Sequence, residues 1–196
     1  MRVIAGSLKG RRLKAPTWEG LRPTSDKLRE TLFNILAPRI VGARVLDGYA
    51  GTGAVGIEAL SRGAASVTFV ENDRRAEALI AENLAHCGVT SGYAIIRGHV
   101  ERALVDLRHA PRFDFVFLDP PYESTRGDAD GTKHLDPISS VVTAAANLLA
   151  ADGLVVLEHA RRWKSPETAG PASRIRVVTS GESALSFYEL TRAPSS

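Results

Sequence analysis

The sequence predicts an α/β domain with a mostly parallel sheet, and three observations support this prediction. From residue 43 onward, short apolar runs alternate with helical patterns, which is typical of a sheet covered by helices on both faces. A glycine-rich segment directly follows the first apolar run and opens a helix. The last two strand-like runs are separated by only a few residues, so they must pair antiparallel. We therefore expect seven strands, with an antiparallel last strand.

The predicted elements follow one another in regular order. The strand-like runs are Arg44–Asp47, Ser66–Glu71, Tyr93–Arg97, Phe113–Leu118, Leu154–Glu158, Arg174–Thr179 and Leu185–Leu190. The helical patterns fall at about 54–62, 73–86, 100–108 and 135–150. The polar, glycine-bearing stretch 123–136 predicts a mobile loop over the site or a disordered segment.

Residues 1–40 form a small extension in this prediction, and residues 41–196 form the α/β domain. Two short runs, Arg2–Ala5 and Arg11–Lys14, flank a glycine-bearing turn and predict a β-hairpin. An amphipathic helix follows, and Pro38 is its expected end.

Basic charge is concentrated in the N-terminal fifth of the chain. Residues 1–44 carry ten Lys/Arg and three Asp/Glu, whereas the remainder carries fifteen and nineteen. A concentrated basic segment on a nearly neutral body is typical of a protein that binds a phosphate backbone. The alternative for each side chain is a solvated surface role. The predicted RNA contacts are Lys9, Arg11, Arg12, Lys14, Arg22, Lys27 and Arg29.

The composition argues against several protein classes. No run approaches the roughly 18 apolar residues of a membrane span, and the charged N-terminus lacks a signal core, so we expect a cytoplasmic protein. The single cysteine, Cys87, cannot form an internal disulfide and is expected to be a small buried residue. The five histidines show no metal-ligand spacing, so we expect no metal.

The glycine-rich segment predicts a site for a nucleoside-bearing ligand. Gly51, Gly53 and Gly56 satisfy GxGxxG, a pattern shared with dinucleotide-binding folds. Asp47, at the tip of the first strand, would repel a pyrophosphate but can pair with an α-ammonium group. Glu71, twenty residues after Gly51, can accept hydrogen bonds from ribose hydroxyls. Together they favour S-adenosylmethionine; an NAD site and a plain tight turn are the alternatives.

The segment after the third strand is where such folds usually meet the adenine. Either the His99 side chain or the backbone N–H of Val100 could contact it, and His99 as an ordinary loop residue is an equal alternative. These observations predict a Rossmann-like, class I S-adenosylmethionine-dependent methyltransferase fold.

The tetrapeptide Asp119-Pro120-Pro121-Tyr122 follows the fourth strand and predicts a site for an exocyclic amine. Proline has no backbone N–H and a fixed φ, so the oxygens around Asp119 and Pro120 are held as acceptors. These acceptors suit the two amine hydrogens of a planar base, on which Tyr122 can stack. The predicted catalytic residues are thus Asp119, Pro120 and Tyr122, with Asp119 also beside the donor. A capping acid before a Pro-Pro turn is the alternative.

The chain resembles, essentially from end to end, the RsmD family of bacterial 16S rRNA guanine-N2 methyltransferases. The matching segments are RVIAGSLKGRRLKAP, RPTSDKLRETLFNIL, VLDGYAGTGAVGIEALSRGA, FVFLDPPY and GESALSFYEL. The resemblance implies that the substrate is one guanine, guanine 966, in a hairpin loop of small-subunit rRNA. It also implies methylation during 30S assembly.

Two positions depart from the family's usual residues. The family commonly has Leu-Phe where this chain has Gly48-Tyr49, and Asp where this chain has His99. The resemblance places Tyr49 among the donor-binding residues. The first departure loosens the donor turn, and the second leaves the adenine contact open.

Three other functions are alternatives to this one. A DNA adenine or cytosine amino-methyltransferase also fits the DPPY motif, but the chain has no room for a separate target-recognition domain. The acids Asp47, Glu71 and Asp119 argue against a non-catalytic assembly factor, and an NAD oxidoreductase is the third alternative.

The expected partners are 16S rRNA and the 30S subunit or its assembly intermediate, with ribosomal proteins as candidates for presenting the loop. We expect a monomer.

Overall fold

The computed structural model of the chain describes residues 1–18, 24–121 and 137–191. The chain divides into two compact units, Met1–Ala103 and Leu104–Ser196. The predicted boundary near residue 40 therefore lies inside the first unit, and it stays a prediction about function.

The described residues form five α-helices, eight strands and two short 3₁₀ turns. The helices are α1 (Asp26–Leu36), α2 (Ala54–Ser61), α3 (Arg74–His86), α4 (Val100–Asp106) and α5 (Pro137–Ala146). The strands are β1 (Arg44–Gly48), β2 (Ser66–Glu71), β3 (Tyr93–Arg97), β4 (Phe113–Leu118), β5 (Leu149–Ala160), β6 (Thr168–Ala169), β7 (Ala172–Ser180) and β8 (Ser183–Leu190). The 3₁₀ turns are Ala37–Arg39 and Leu107–His109.

The first unit contains three parallel strands in the order β3-β2-β1. Val45 of β1 lies opposite Val67 of β2, and Val70 lies opposite Ile96 of β3. Because the strands are parallel, their carboxyl ends meet at one edge, where Asp47 and Glu71 stand.

Helix α1 forms as its sequence predicts. The Ser25 hydroxyl accepts a hydrogen bond from the Leu28 backbone N–H at 3.2 Å, which satisfies one orphan donor of the first turn. The apolar stripe that includes Leu28 and Leu32 is buried. The helix ends at Leu36, where a 3₁₀ turn containing Pro38 begins.

The predicted N-terminal hairpin is reduced to a single antiparallel bridge between Arg2 and Arg12. Val3 N–H donates to the Arg11 carbonyl at 2.9 Å, and Leu13 N–H donates to the Met1 carbonyl at 3.1 Å. Extended strands do not form here, because neighbouring helices supply partners for much of the remaining backbone of this segment.

The second unit contains five strands in the order β4-β5-β8-β7-β6. β4 and β5 are parallel, and the other three pairs are antiparallel, as expected for the last strand. The total is eight strands rather than the predicted seven. The missed strand, β6, has only two residues and therefore no periodicity that a sequence could reveal.

The boundary between α5 and β5 also differs from the prediction of a helix that extends to residue 150. The helix ends at Ala146, and the Phe113 N–H donates to the Leu148 carbonyl at 2.9 Å, which draws this segment into the sheet. The β4–β5 register then shifts, since Phe113 faces Leu149 but Phe115 faces Leu154.

Several side chains lie where the sequence places them. Cys87 is buried, and burial raises the pKa of its thiol. Phe187 and Tyr188 of β8 are both buried. Within the described residues, no helix has the length and apolar character needed to cross a bilayer.

Candidate functional site

Asp47 is a buried acid at the carboxyl end of β1. Its Oδ2 accepts a hydrogen bond from the Gly56 backbone N–H at 2.8 Å, so the carboxyl group holds the first turn of α2. Burial raises the pKa of Asp47 to about 8, and the nearby Glu71 adds to the rise, although the Gly56 bond opposes it. A cationic group placed beside this carboxyl group would favour its ionised form.

Glu71 ties the glycine loop to the end of β2. Its Oε2 accepts from the Gly51 N–H at 2.8 Å, and its Oε1 accepts from the N–H groups of Asn72 and Asp73 at 2.8 and 2.9 Å. A carboxylate has about four acceptor positions, so three backbone donors leave it able to accept another hydrogen bond. Backbone N–H groups of the glycine loop and of the residues that follow β2 therefore fix the orientation of the Glu71 carboxylate.

The three glycines of the loop are required for two different structural reasons. Gly51 and Gly53 have φ of 56° and 76°, a region that glycine enters without steric cost. Gly56 has a different role, since a Cβ there would lie 2.2 Å from Cε1 of Phe69 and 2.8 Å from Cγ1 of Val67. Its missing side chain allows α2 to approach β2 closely.

Tyr49 is the single non-glycine residue with positive φ, at 63°, in the described part of the chain. Its hydroxyl donates to Oε1 of Glu101 at 3.2 Å. Burial raises the pKa of Tyr49, and the Glu101 carboxylate adds to the effect. The phenol oxygen thus connects the glycine loop to α4, a contact that a phenylalanine could not make.

The predicted adenine-contact residues lie where β3 passes into α4. The His99 side chain is exposed, and its carbonyl accepts from the Ala103 N–H at 3.0 Å as the helix begins. Val100 is buried. Gly98 N–H donates to the Glu71 carbonyl at 2.9 Å, so this turn lies next to the end of β2.

In the second unit, Asp119 directly follows Leu118, the last residue of β4. Asp119 is half-buried, Pro120 is buried and Pro121 is exposed. Neither proline has a backbone N–H to donate, so the next two residues cannot cap the Asp119 carboxylate as backbone groups cap Glu71. Tyr122 and the predicted loop 123–136 lie outside the described residues.

Most of the predicted RNA-contact residues lie on the surface. The exposed ones among them are Lys9, Arg11, Arg12, Lys14 and Lys27. Lys14 forms a surface ion pair with Glu82 at 3.1 Å, and such exposed pairs contribute little to stability. Arg22 lies outside the described residues.

Arg29, which the sequence analysis placed on this basic face, is completely buried. Its Nη2 donates to the Arg2 carbonyl at 2.5 Å and to Asp26 Oδ1 at 2.9 Å, and its Nε lies 3.8 Å from Glu58 Oε2. Burial lowers the pKa of this guanidinium group, although both acids oppose the effect. Arg29 therefore supports the N-terminal segment from inside, and the prediction of an RNA contact is wrong for this residue.

Three buried polar residues that the sequence analysis did not single out fix the basic segment. Glu58 accepts from Ile4 N–H at 2.7 Å and from Ala5 N–H at 3.0 Å. Ser61 Oγ accepts from Leu8 N–H at 3.0 Å. Both lie on α2, whose apolar pattern gives no sign of these roles.

The third of these residues, Asn83, links the basic segment to the glycine loop. Its Oδ1 accepts from the Lys14 N–H at 2.7 Å, and its Nδ2 donates to the Thr52 carbonyl at 3.0 Å. Asn83 is fully buried in α3. An asparagine within a helical pattern has no sequence signal for such a link.

Among the residues that the structure describes, no group of three His, Cys, Asp or Glu side chains could hold a metal ion. The expected absence of a metal stays a prediction.

A family described as "Conserved hypothetical protein 95" matches residues 1–189 of the chain. The chain belongs to this family. The match confirms the resemblance to the RsmD family of rRNA methyltransferases that the motifs predicted.

Similar proteins carry names of the same kind. "Putative rRNA methyltransferase YlbH" of Bacillus subtilis is 37% identical over 96% of this chain and 98% of its own length. "Ribosomal RNA small subunit methyltransferase D" of Haemophilus influenzae is 45% identical over 62% of this chain and 64% of its own length. A solved structure, "Putative methyltransferase yhhF from Escherichia coli", is 33% identical over 97% of each chain, with a TM-score of 0.74. The fold is thus that of the methyltransferases.

Proposed function

We propose that this RsmD family member transfers a methyl group from S-adenosylmethionine to the exocyclic N2 of one guanine in 16S rRNA during 30S assembly. The observation that carries the proposal is the placement of three acids. Asp47 and Glu71 lie at the carboxyl ends of parallel strands beside a glycine loop, whereas Asp119 directly follows a parallel strand and precedes two prolines. In α/β sheets, ligands bind beyond the carboxyl ends of parallel strands.

The donor is assigned to the glycine loop. The α-ammonium group would pair with Asp47, whose raised pKa favours a protonated carboxyl group until a cation arrives. Donor binding should then release a proton near neutral pH. Glu71 would accept from the ribose hydroxyls, since three backbone donors already fix its orientation. Tyr49, His99 and Val100 complete the proposed donor contacts.

The acceptor is assigned to Asp119 and Pro120. The lone pair of an exocyclic amine is delocalised into the base, so the amine is a weak nucleophile. Asp119 and the Pro120 carbonyl would accept its two hydrogens and draw the nitrogen toward tetrahedral geometry. Its lone pair then attacks the methyl carbon as the carbon–sulfur bond breaks. The electron pair of the broken bond would stay on sulfur, which gives S-adenosylhomocysteine, and the methylated amine would then transfer one proton to the Asp119 carboxylate.

Positioning supplies much of the rate in this mechanism. Alignment of two bound reactants can supply about 7–11 kcal/mol of the barrier. A base in an RNA loop leaves its stack at a cost of only a few kcal/mol, and Tyr122 is proposed to stack on it. The exposed cations Lys9, Arg11, Arg12 and Lys14 would hold phosphates, so RNA binding should weaken steeply with salt.

Tritium transfer from labelled S-adenosylmethionine tests the proposal. The acceptors are 30S particles, deproteinised 16S rRNA and duplex DNA, with Asp119→Ala as the control. We expect N2-methylguanine in rRNA and none with the variant. The preferred acceptor would show whether ribosomal proteins present the loop. Label only in DNA would contradict the proposal and indicate a DNA amino-methyltransferase.

A further inference from the structure

A second basic segment lies in the unit that carries Asp119. Arg161, Arg162, Trp163 and Lys164 directly follow β5. The three cations are exposed, whereas Trp163 is half-buried. None of the ion pairs in the described part of the chain involves these three cations.

The backbone of this segment is fixed. Arg161 N–H donates to the Glu182 carbonyl at 2.8 Å, and Trp163 N–H donates to the Ala160 carbonyl at 3.0 Å. The Trp163 ring meets the buried His159 ring edge-on, with centroids 5.1 Å apart. The cations therefore extend from an anchored turn, which lowers the entropic cost of holding a ligand.

The register of the sheet places this turn at the same edge as Asp119. β4 and β5 are parallel, and Leu118 lies opposite Leu157. Asp119 and Glu158 are the next residues of their strands, and Arg161 follows three residues after Glu158. Because adjacent strands lie roughly 4.8 Å apart, the cations begin within a few residues of the proposed acceptor site.

We propose that Arg161, Arg162 and Lys164 bind the phosphate backbone of the RNA strand that carries the methylated nucleotide. This inference rests on the proposed function for the identity of the RNA. Arginine suits the role because its planar guanidinium group makes two parallel hydrogen bonds to a phosphate. Glu182, exposed on the neighbouring turn, is an acid whose charge would repel a phosphate on that side.

The test compares two double variants of equal charge. Arg161→Ala/Arg162→Ala removes two proposed contacts but keeps the Arg161 N–H bond to Glu182. Arg108→Ala/Arg176→Ala is the matched control, since Arg108 precedes β4 and Arg176 lies within β7, and both are exposed. Affinity for polyuridine RNA and for deproteinised 16S rRNA is measured across a series of KCl concentrations.

Each lost phosphate contact should make the negative slope of log K against log salt shallower by about 0.7 for a single strand. The alanine pair should therefore have a slope shallower by about 1.4 and an affinity about tenfold or more weaker at low salt. The control should keep the parent values, and Arg161→Lys/Arg162→Lys should restore most of the slope. An unchanged slope in the alanine pair would overturn the inference.

Two further measurements keep the test decisive. If the alanine pair has a lowered thermal midpoint, Lys164→Ala alone should still make the salt slope shallower by about 0.7, and no change would count against the site. The polyuridine arm needs no methyl transfer. A changed slope there, with no transfer to 16S rRNA, would support the phosphate site while refuting the proposed function.

Discussion

The glycine loop, residues 49–56, and the basic segment, residues 1–14, are stabilised in the same way but have different proposed functions. Each lies mostly outside the named helices and strands, and side chains from nearby strands or helices bind its backbone. Asp47 and Glu71 hold the glycine loop. Glu58 holds the basic segment, and Asn83 contacts both.

The difference lies in what each segment leaves available. In the glycine loop the holding groups are themselves the proposed ligand contacts, so structure and donor binding share the same carboxyl groups. In the basic segment the holding groups are buried beneath the backbone, and the cations remain exposed. Substitutions should therefore affect stability and binding together in the loop, but separately in the segment.

Glu58→Ala should have the largest effect on stability. The substitution removes the acceptor for two backbone N–H groups and for Arg62 Nε, and it takes an acid away from the buried Arg29. Removing one partner of a buried ion pair costs about 3–5 kcal/mol. Urea unfolding measures the loss. Glu82→Ala, which breaks only an exposed pair with Lys14, should cost less than about 1 kcal/mol. Equal losses for the two variants would contradict the assigned role of Glu58.

Gly56→Ala should have the next largest effect and should change stability and donor binding together. The new Cβ would lie 2.2 Å from Phe69, so α2 must move away from β2. Overpacking of this kind costs about 1–3 kcal/mol. Calorimetry with S-adenosylhomocysteine should show weaker binding as well. Gly98→Ala is the control, since a Cβ there meets nothing within 4 Å.

Asp47 should make stability depend on pH. The folded-state pKa, about 8, is raised above the ordinary value of 3.8, so the folded chain holds the proton more tightly. The resulting stabilisation is complete below about pH 4 and is lost as pH rises through about 8. Relative to the parent, Asp47→Asn should therefore gain up to about 1.4 kcal/mol per pH unit between these limits. Urea unfolding at pH 6 and pH 7 measures the change. A constant difference would contradict the buried, protonated state.

The sequence predicts the elements well where periodicity and a glycine pattern coincide. β1, the glycine loop and α2 are examples, since the strand, the turn and the close helix contact each impose a residue type. β6 is too short for any pattern. The N-terminal segment predicts a hairpin because two short runs flank a glycine-bearing turn. Side chains of α2 and α3 instead accept hydrogen bonds from the backbone N–H groups of Ile4, Ala5, Leu8 and Lys14.

In the candidate site, too, some residues are predicted by a local sequence pattern, whereas others depend on partners that are distant in the sequence. Asp47 and Glu71 are found from sequence because each stands at a strand end. Arg29 was misplaced, because a basic residue on an amphipathic helix normally faces solvent and nothing local reveals Glu58 beneath it. Asn83 was missed because its partners lie 69 and 31 residues away along the chain.

The assignment of Asp119 to the acceptor and Glu71 to the donor is tested most directly by one kinetic comparison. Single-turnover transfer to rRNA at saturating S-adenosylmethionine is measured for Asp119→Asn and Glu71→Gln, together with affinity for S-adenosylhomocysteine. We expect Asp119→Asn to lower the transfer rate by about 100- to 1,000-fold at unchanged affinity. Glu71→Gln should weaken the affinity and largely keep the saturated rate. Weakened S-adenosylhomocysteine binding in Asp119→Asn, with a normal saturated rate, would contradict the account.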